Sequence, residues 1–280
     1  GSGQIVASAP FVFEAGEDST TVALNVPNKV RNNIRRLEIA NSRNTGALFL
    51  LDQRWQRRQV GLISSDSTQL DQPLLNETHY LVQALEPFFD IAEGTVEELL
   101  EGEHSLIALG DTANLPEGVE RSLADWVAKG GVLVRFAGPK LANSTSTLVP
   151  VDLRSGNRSL QGAMSWNQPA PLGPIPQDSP FARLDIPDEI TVTTQVLANP
   201  SPGLLDKTWA QLEDGTPLVT AAREGAGWLV LFHTTATPEW SNLALSGLFV
   251  EMLREIGNLG QFTGQNLSDQ RSLPPFQMLD

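Results

Sequence analysis

The chain of 280 residues is long enough for one large domain or for one domain plus a smaller one, and with 40% hydrophobic and 19% charged residues it has the composition of an ordinary globular protein. It carries 33 acidic residues against 19 lysines and arginines, and this net charge of −14 argues against nucleic acid as a general partner, because phosphates require a basic surface. The chain has no cysteine, which excludes disulfides, thiolate catalysis and cysteine-bound metals.

Residues 4–57 are predicted to form a β-rich, sandwich-like segment. Strand-like runs at 11–13, 20–26, 36–39 and 47–51 are separated by turn-forming glycine, proline and asparagine residues. Between Lys29 and Arg58 there are eight basic and two acidic residues, a local charge of +6. Two interpretations stay open: the charges protect exposed strand edges, or they form a face that docks an acidic partner or lies near anionic lipid.

From residue 58 onward, apolar strands alternate with amphipathic helices. The predicted strands are 59–65, 89–92, 105–110 and 132–136, and the predicted helices are 73–88, one that begins at Thr95, and 116–129. Thr95 and Glu98 have the spacing of a capping box, and Gly130 follows the third helix. Continuous apolar strands separated by helices predict a parallel sheet covered by helices on both faces.

A β-rich insertion is predicted at about 139–215. Six prolines between residues 169 and 187 interrupt the helical periodicity, and strands are predicted at 189–197 and 208–213. The sheet then resumes as a hairpin of 218–223 and 228–232, followed by a last helix at 243–256. The expected organisation is therefore a β-rich segment at 4–57, an α/β domain at 58–257 and an extended tail or linker at 258–280.

The stretch 227–240, GWLVLFHTTATPEW, is a strand that runs into His233 and is followed by Pro238 and Glu239. With the motifs ALGD at 108–111 and WVAKGG at 126–131, this stretch makes residues 58–258 resemble a class I glutamine amidotransferase-like domain, whose fold is flavodoxin-like α/β. Together with residues 22–51 and the motif LLDQRW at 50–55, the chain resembles the extracytoplasmic part of a bacterial membrane-protein family that has an N-terminal two-helix membrane segment.

The resemblance implies a location and a partner. The chain is expected on the periplasmic side of a bacterial inner membrane, attached only through segments outside this chain, since no run approaches the roughly 20 apolar residues of a membrane span. A protein partner in a membrane-associated assembly is expected, and the oligomeric state is left open.

The resemblance also places the enzyme family's reactive residues on this chain. The turn that carries the cysteine nucleophile in the enzymes matches residues 136–140 here, FAGPK, so the nucleophile position falls on Ala137 or Gly138, neither of which can attack a substrate. His233 and Glu239 fall where a His-Pro-Glu motif would follow the last strand, but five residues separate them. No amidotransferase activity is expected.

Polar residues follow several of the predicted parallel strands, and open α/β sheets bind ligands at that edge. The candidate crevice residues are Ser64, Ser65, Asp66, Asp111, Ala137, Gly138, His233, Thr234, Glu239 and Trp240. In the simplest interpretation their polar groups only cap loops and helices. A Ser65–His233–Asp111 hydrolase is conceivable, but Ser65 has no Gly-x-Ser-x-Gly context. No spacing supports a metal or cofactor site.

Two functions of different classes remain. The favoured one is a non-catalytic ectodomain that binds a protein partner or a polar ligand. The alternative is a hydrolase or sugar-directed enzyme that uses His233 and nearby carboxylates. A well-formed pocket in which His233 is open to solvent and bonded to a carboxylate would favour the enzyme, whereas a His233 buried against Trp240 with no cavity would exclude it.

Overall fold

The computed structural model describes residues 5–13, 16, 17, 19–22, 24, 26, 34, 36–40, 42, 44–51, 58–63, 77–154 and 163–260. Contacts between Cα atoms divide the chain into two units, 1–57 and 58–280. Each unit is described by itself.

In the first unit, strands β1 (Arg36–Glu38) and β2 (Leu48–Leu50) form an antiparallel pair in which Leu37 lies opposite Phe49. A 3₁₀ turn at Thr45–Ala47 precedes β2. The strands predicted at 36–39 and 47–51 are therefore present. The strand predicted at 11–13 is wrong, and the described residues of 20–26 are not in a strand either. A strand-like sequence forms a strand only where a neighbour supplies hydrogen bonds.

The second unit is built on one sheet, to which seven strands of the described residues contribute. These strands are β3 (Gln59–Ile63), β4 (Asp90–Gly94), β5 (His104–Leu109), β6 (Val132–Phe136), β9 (Thr208–Gln211), β10 (Pro217–Glu224) and β11 (Gly227–Phe232). Their order is β4-β3-β5-β6-β11-β10-β9. The first five of this order are parallel, and β10 and β9 continue the sheet in antiparallel fashion. The carboxyl ends of the five parallel strands therefore meet at one edge.

Helices cover both faces of this sheet. The helices are α1 (Glu77–Leu85), α2 (Val96–Glu101), α3 (Glu117–Ala128), the short α4 (Pro139–Ala142) and α5 (Gly247–Leu259). Apolar residues of α1 and α5 share a buried cluster with one face of the strands, whereas those of α2 and α3 pack on the other face. The α/β fold with a largely parallel, doubly covered sheet is confirmed. Within the described ranges, no helix combines the length and the apolar character that crossing a bilayer requires.

Local sequence signals explain where these helices begin and end. The capping box at α2 is confirmed, because Thr95 Oγ1 accepts from the amide of Glu98 while the Glu98 carboxylate accepts from the amide of Thr95. Gly130 follows α3 with φ of 119°, a conformation that glycine adopts without strain. The last helix begins at Gly247, later than predicted, because Ser246 caps it and a separate 3₁₀ turn occupies Asn242–Leu245.

The inserted region contains one strand that the sequence did not predict. β7 (Ala163–Pro171) pairs with β8 (Thr191–Val196) in a separate antiparallel hairpin. β9, which was predicted as part of the insertion, instead extends the central sheet at its edge. Of the predicted tail, residues 258 and 259 belong to α5, Gly260 is the C-cap of that helix, and 261–280 lie outside the described residues.

Candidate functional site

His233 follows β11 directly at the carboxyl edge of the sheet, and its side chain is completely buried. Its Nδ1 lies 2.7 Å from the carbonyl oxygen of Val196, and its Nε2 lies 2.9 Å from the hydroxyl of Thr220. A carbonyl can only accept, so Nδ1 carries the proton and Nε2 accepts from the Thr220 hydroxyl. Both ring nitrogens are therefore used within the protein, and His233 does not line a crevice.

The environment of His233 also fixes its charge. Burial lowers the pKa of His233 to about 4, and the hydrogen bond to the Val196 carbonyl only partly opposes this shift. The ring is neutral near pH 7. Since neither nitrogen faces solvent or a carboxylate, the ring is not placed to act as a general base.

The residues predicted beside His233 are not assembled around its ring. Glu239 is exposed, and the partners of the ring are Val196 and Thr220 rather than this carboxylate. Thr234 is buried, with its hydroxyl 3.4 Å from the Thr194 carbonyl. Trp240 is partly buried and packs in an apolar cluster with Ala137 and Leu141, so it covers the turn after β6.

The turn after β6 contains the expected nucleophile position, and that position is buried away from solvent. Ala137 is completely buried and donates its amide to the Phe232 carbonyl at 2.8 Å. A Cβ at Gly138 would lie 2.5 Å from Asp111 Cγ, so the close approach of Asp111 requires glycine there. A substrate cannot reach a side chain at Ala137, and Gly138 has no room for one.

Asp111 follows β5 and binds the amides at the start of α4. Its Oδ1 accepts from the amides of Gly138 at 3.0 Å and Leu141 at 2.9 Å, and its Oδ2 accepts from the amide of Lys140 at 2.9 Å. In an acyl-transfer enzyme, amides at such a turn would stabilise an oxyanion. Here the chain's own carboxylate already occupies these donors.

Glu77, the first residue of α1, joins the same edge although it was not among the predicted site residues. Its Oε2 accepts from the Asp111 amide at 2.5 Å, and its Oε1 accepts from the Ala236 amide at 3.4 Å. Burial raises the pKa of Glu77 to about 7; the negative charge of Asp111 adds to the shift, while the two amide hydrogen bonds oppose it. Glu77 thus links the loops after β5 and β11.

Arg135, a cation within β6, is a second residue that the sequence did not single out. It is 1% exposed and donates to Ser146 Oγ at 2.7 Å and to the carbonyl of Thr112 at 3.1 Å. Burial lowers the pKa of Arg135 to about 10, although the charges of Glu120 and Asp111 counter the shift. The Ser146 hydroxyl in turn donates a hydrogen bond to Glu120 Oε1 at 2.8 Å. Arg135 therefore ties two loops to the sheet.

The remaining predicted residues cannot be placed in this geometry. Ser64, Ser65 and Asp66 lie outside the described residues. In the ranges that the structure describes, no group of three or more histidine, aspartate or glutamate side chains is arranged to hold a metal ion.

The two residues that sequence reasoning missed had weak signals. Glu77 stands within Asn76-Glu77-Thr78, which also matches a glycosylation pattern, and a carboxylate in the first turn of a helix is common. Arg135 is the one charged residue in the strand VLVRF, and a lone charge in a strand that is otherwise apolar is the signal that could have identified it.

Comparison with solved structures finds similar folds at low sequence identity. The cytoplasmic protein STM1381 from Salmonella typhimurium LT2 aligns with a TM-score of 0.56 and 12% identity over 72% of this chain and 100% of that chain. The cytoplasmic protein STM3548 from Salmonella typhimurium aligns with a TM-score of 0.53 and 11% identity over 72% and 98%. A ThuA-like protein from Bacteroides uniformis ATCC 8492 has a TM-score of 0.48 and 12% identity over 72% and 90%.

No family model matches the chain, and no curated protein matches it in sequence. At identities of 11–12%, the two Salmonella structures show the fold alone. The second unit of the chain has an α/β fold with a mostly parallel sheet covered on both faces, and these two structures share that fold.

Proposed function

We propose that the α/β unit is a non-catalytic binding domain that keeps the amidotransferase-like scaffold without its chemistry. One observation carries the proposal: Ala137, at the nucleophile position, and His233, at the histidine position, are both 0% exposed. A substrate that cannot contact either residue cannot be attacked or deprotonated there. The Asp111 carboxylate on the α4 amides supports the same conclusion.

The alternative hydrolase is less well supported by this geometry. It requires His233 to take a proton from a nucleophile, yet the Val196 carbonyl and the Thr220 hydroxyl engage both nitrogens. The proposed ligand of the domain is therefore a protein partner rather than a substrate. Its setting, a membrane-anchored bacterial assembly on the periplasmic side, rests on the resemblance carried by the motif LLDQRW at 50–55 and the stretch LFHTTATPEWSNLALSG at 231–247.

A cysteine-accessibility experiment tests the sealed site. Since the chain has no cysteine, Ala137→Cys and Ala113→Cys each introduce a single thiol, the first at a buried and the second at an exposed alanine. We expect rapid maleimide labelling of the Ala113→Cys protein, slow labelling of the Ala137→Cys protein, and no glutamine hydrolysis by either variant or the unmodified chain. Hydrolysis that His233→Ala abolishes would overturn the proposal.

The cellular setting has its own test. Fractionation of cells that express the full-length gene product should place it in the inner-membrane fraction, with the α/β unit sensitive to protease from the periplasmic side. Recovery in the cytoplasmic fraction would contradict the setting and leave the non-catalytic assignment unaffected.

A further inference from the structure

An open groove of about 440 Å³ lies between α2 and the first turns of α3, on the face of the sheet that these two helices cover. Val96 and Leu100 of α2 and Pro116 and Val119 beside or on α3 give it apolar walls, and Gly118 leaves open space where a side chain would stand. Leu100 and Val119 are partly buried at the margin of the core. The groove is therefore an apolar surface continuous with the hydrophobic packing beneath it.

The polar groups of the groove offer little to a small polar ligand. Glu97 and Ser122 line it, but the Ser122 hydroxyl already donates to the Gly118 carbonyl at 3.0 Å. Small-molecule sites fix their ligands through several convergent hydrogen-bonding groups. An apolar groove between two helices instead suits a side chain that projects from a polypeptide.

The negative charge around the groove indicates which kind of polypeptide would bind there. Residues 93–125 contain nine acidic residues and one arginine, a net charge of −8. Helices α2 and α3 together carry −5, from six acidic residues and Arg121, whereas α1 and α5 on the opposite face carry −2, from three acidic residues and Arg254. The acidity is therefore concentrated on the face that holds the groove.

Part of this acidity is already used within the protein. Glu98 completes the capping box, Glu120 accepts from Ser146 and Thr147, and Glu117 pairs with Arg121 at 2.6 Å. Within the described ranges no ion pair involves Glu97, Glu101 or Asp125, all of which are exposed; Glu97 and Glu101 are one turn apart on α2. Like charges on adjacent helices repel one another, and a cationic partner would relieve that repulsion.

We propose that the α2–α3 groove binds a basic polypeptide segment, with one apolar side chain between the helices and lysine or arginine residues facing Glu97, Glu101 and Asp125. The inference rests on the proposed function, because it gives the expected protein partner a chemistry. It predicts that the apolar contact and the charges contribute separately.

Fluorescence anisotropy with a labelled lysine-rich peptide that carries one central leucine tests this proposal on the full chain at physiological ionic strength. We expect saturable binding that weakens about tenfold or more in the double variant Glu97→Lys/Glu101→Lys, because two attractive charges become repulsive. The matched control is Glu189→Lys/Glu213→Lys, which makes the same change in net charge at two exposed turn positions and should change affinity less than about twofold.

The apolar contact is tested without any change of charge. Gly118→Phe fills the open space at Gly118, and a peptide with alanine in place of the central leucine removes the anchor; each should reduce affinity several-fold. Equal weakening by the two charge-reversal pairs, or no saturable binding at all, would overturn the inference.

Analytical sedimentation of the chain alone tests whether a second copy of the chain, rather than a separate partner, occupies the groove. Self-association that Glu97→Lys/Glu101→Lys disrupts would show that the groove binds a second copy of the chain, and the assignment to a separate partner would be wrong. Glutamine hydrolysis and thiol labelling test the non-catalytic assignment, whereas peptide binding tests the groove. A wrong groove proposal and a wrong non-catalytic assignment therefore give different results.

Discussion

The carboxyl edge of the sheet and the α2–α3 face differ in how their polar groups are used. At the edge, His233, Asp111 and Glu77 each bond to other parts of the chain, and Ala137 is buried among apolar side chains. On the α2–α3 face, the carboxylate of Glu97 lines an open groove, and Glu101 and Asp125 of the same two helices are exposed. The edge is where this fold usually binds ligands, yet here its polar residues hold the protein together.

The position of a polar side chain in a fold is therefore a weaker guide to its function than the hydrogen bonds that the side chain already makes within the protein. A polar side chain whose donors and acceptors are all satisfied internally contributes to stability, whereas exposed charges and apolar surface remain for recognition. Substitutions at the edge should therefore change the free energy of unfolding, and those on the α2–α3 face should change it little.

The largest effect is expected from His233→Ala. The variant leaves the Val196 carbonyl without its ring donor, removes the acceptor of Thr220 and opens a cavity, so the free energy of unfolding should fall by about 3–4 kcal/mol. Urea denaturation measures the loss. Thr220→Val, which removes one hydrogen bond at nearly constant volume, should cost about 1 kcal/mol. A loss under about 1 kcal/mol for His233→Ala would contradict the structural role.

The second largest loss in the free energy of unfolding is expected from Asp111→Ala. It leaves the amides of Gly138, Lys140 and Leu141 without their carboxylate, which should cost about 2–3 kcal/mol in urea denaturation. Asp125→Ala is the matched control, because Asp125 is an exposed aspartate of α3, and it should change stability by less than about 0.5 kcal/mol. Similar losses in both variants would remove the contrast between the two regions.

The pH dependence of stability provides a third test. Glu77 has a pKa raised to about 7 from 4.5, so its contribution to stability falls as the pH rises from 4.5 to 7. His233 has a pKa lowered to about 4 from 6.5, so its contribution is present above pH 6.5 and is lost as the pH falls toward 4. Between about pH 4.5 and 6.5 the two contributions oppose each other.

The variant Glu77→Gln should remove the Glu77 contribution and leave the pH dependence that His233 produces. Without the Glu77 contribution, the free energy of unfolding should fall more steeply between pH 6.5 and 4.5 than in the unmodified chain, with a difference of about 2 kcal/mol over that interval. Urea denaturation at several pH values, with Glu97→Gln as the exposed control, measures the difference. Parallel pH profiles for the unmodified chain and Glu77→Gln would contradict the raised pKa.

The smallest expected effect lies on the α2–α3 face. Gly118 is exposed in the first turn of α3, and a Cβ there would meet no atom within 4 Å. Gly118→Ala should therefore stabilise the protein by about 0.5 kcal/mol, because alanine loses less backbone entropy in a helix. A small rise in the thermal midpoint would be consistent with a tolerant surface, whereas a clear loss would mean that the groove is packed more tightly than the structure shows.

Much of the α/β unit could be predicted from hydrophobic periodicity. Helix α3 lies within the predicted range 116–129, and strand β6 coincides with the predicted strand 132–136. β7 was missed because Pro169 and Pro171 and its exposed polar side chains give no periodic signal, and it is a strand only because β8 pairs with it.

The site was harder to predict for a different reason. The sequence places His233 at the end of a strand, but it does not show that β8, some 40 residues earlier, supplies the Val196 carbonyl to its ring. Nor does it show that Asp111 reaches the amides of α4, because the approach depends on two strands that become neighbours only in the sheet. Burial of a polar residue by a distant segment leaves no local pattern.

The four hydrogen bonds of His233 have a consequence for how the molecule opens. Its amide donates to the Leu218 carbonyl, its carbonyl accepts from the Val196 amide, and its ring joins Val196 to Thr220. β8 is therefore fastened to the end of β11 at His233, and hydrogen bonds from the Thr193 and Thr194 amides to the Trp240 carbonyl extend this attachment along the strand. The amide hydrogen of Val196 should exchange with solvent only through global unfolding, although it belongs to a two-stranded hairpin outside the main sheet.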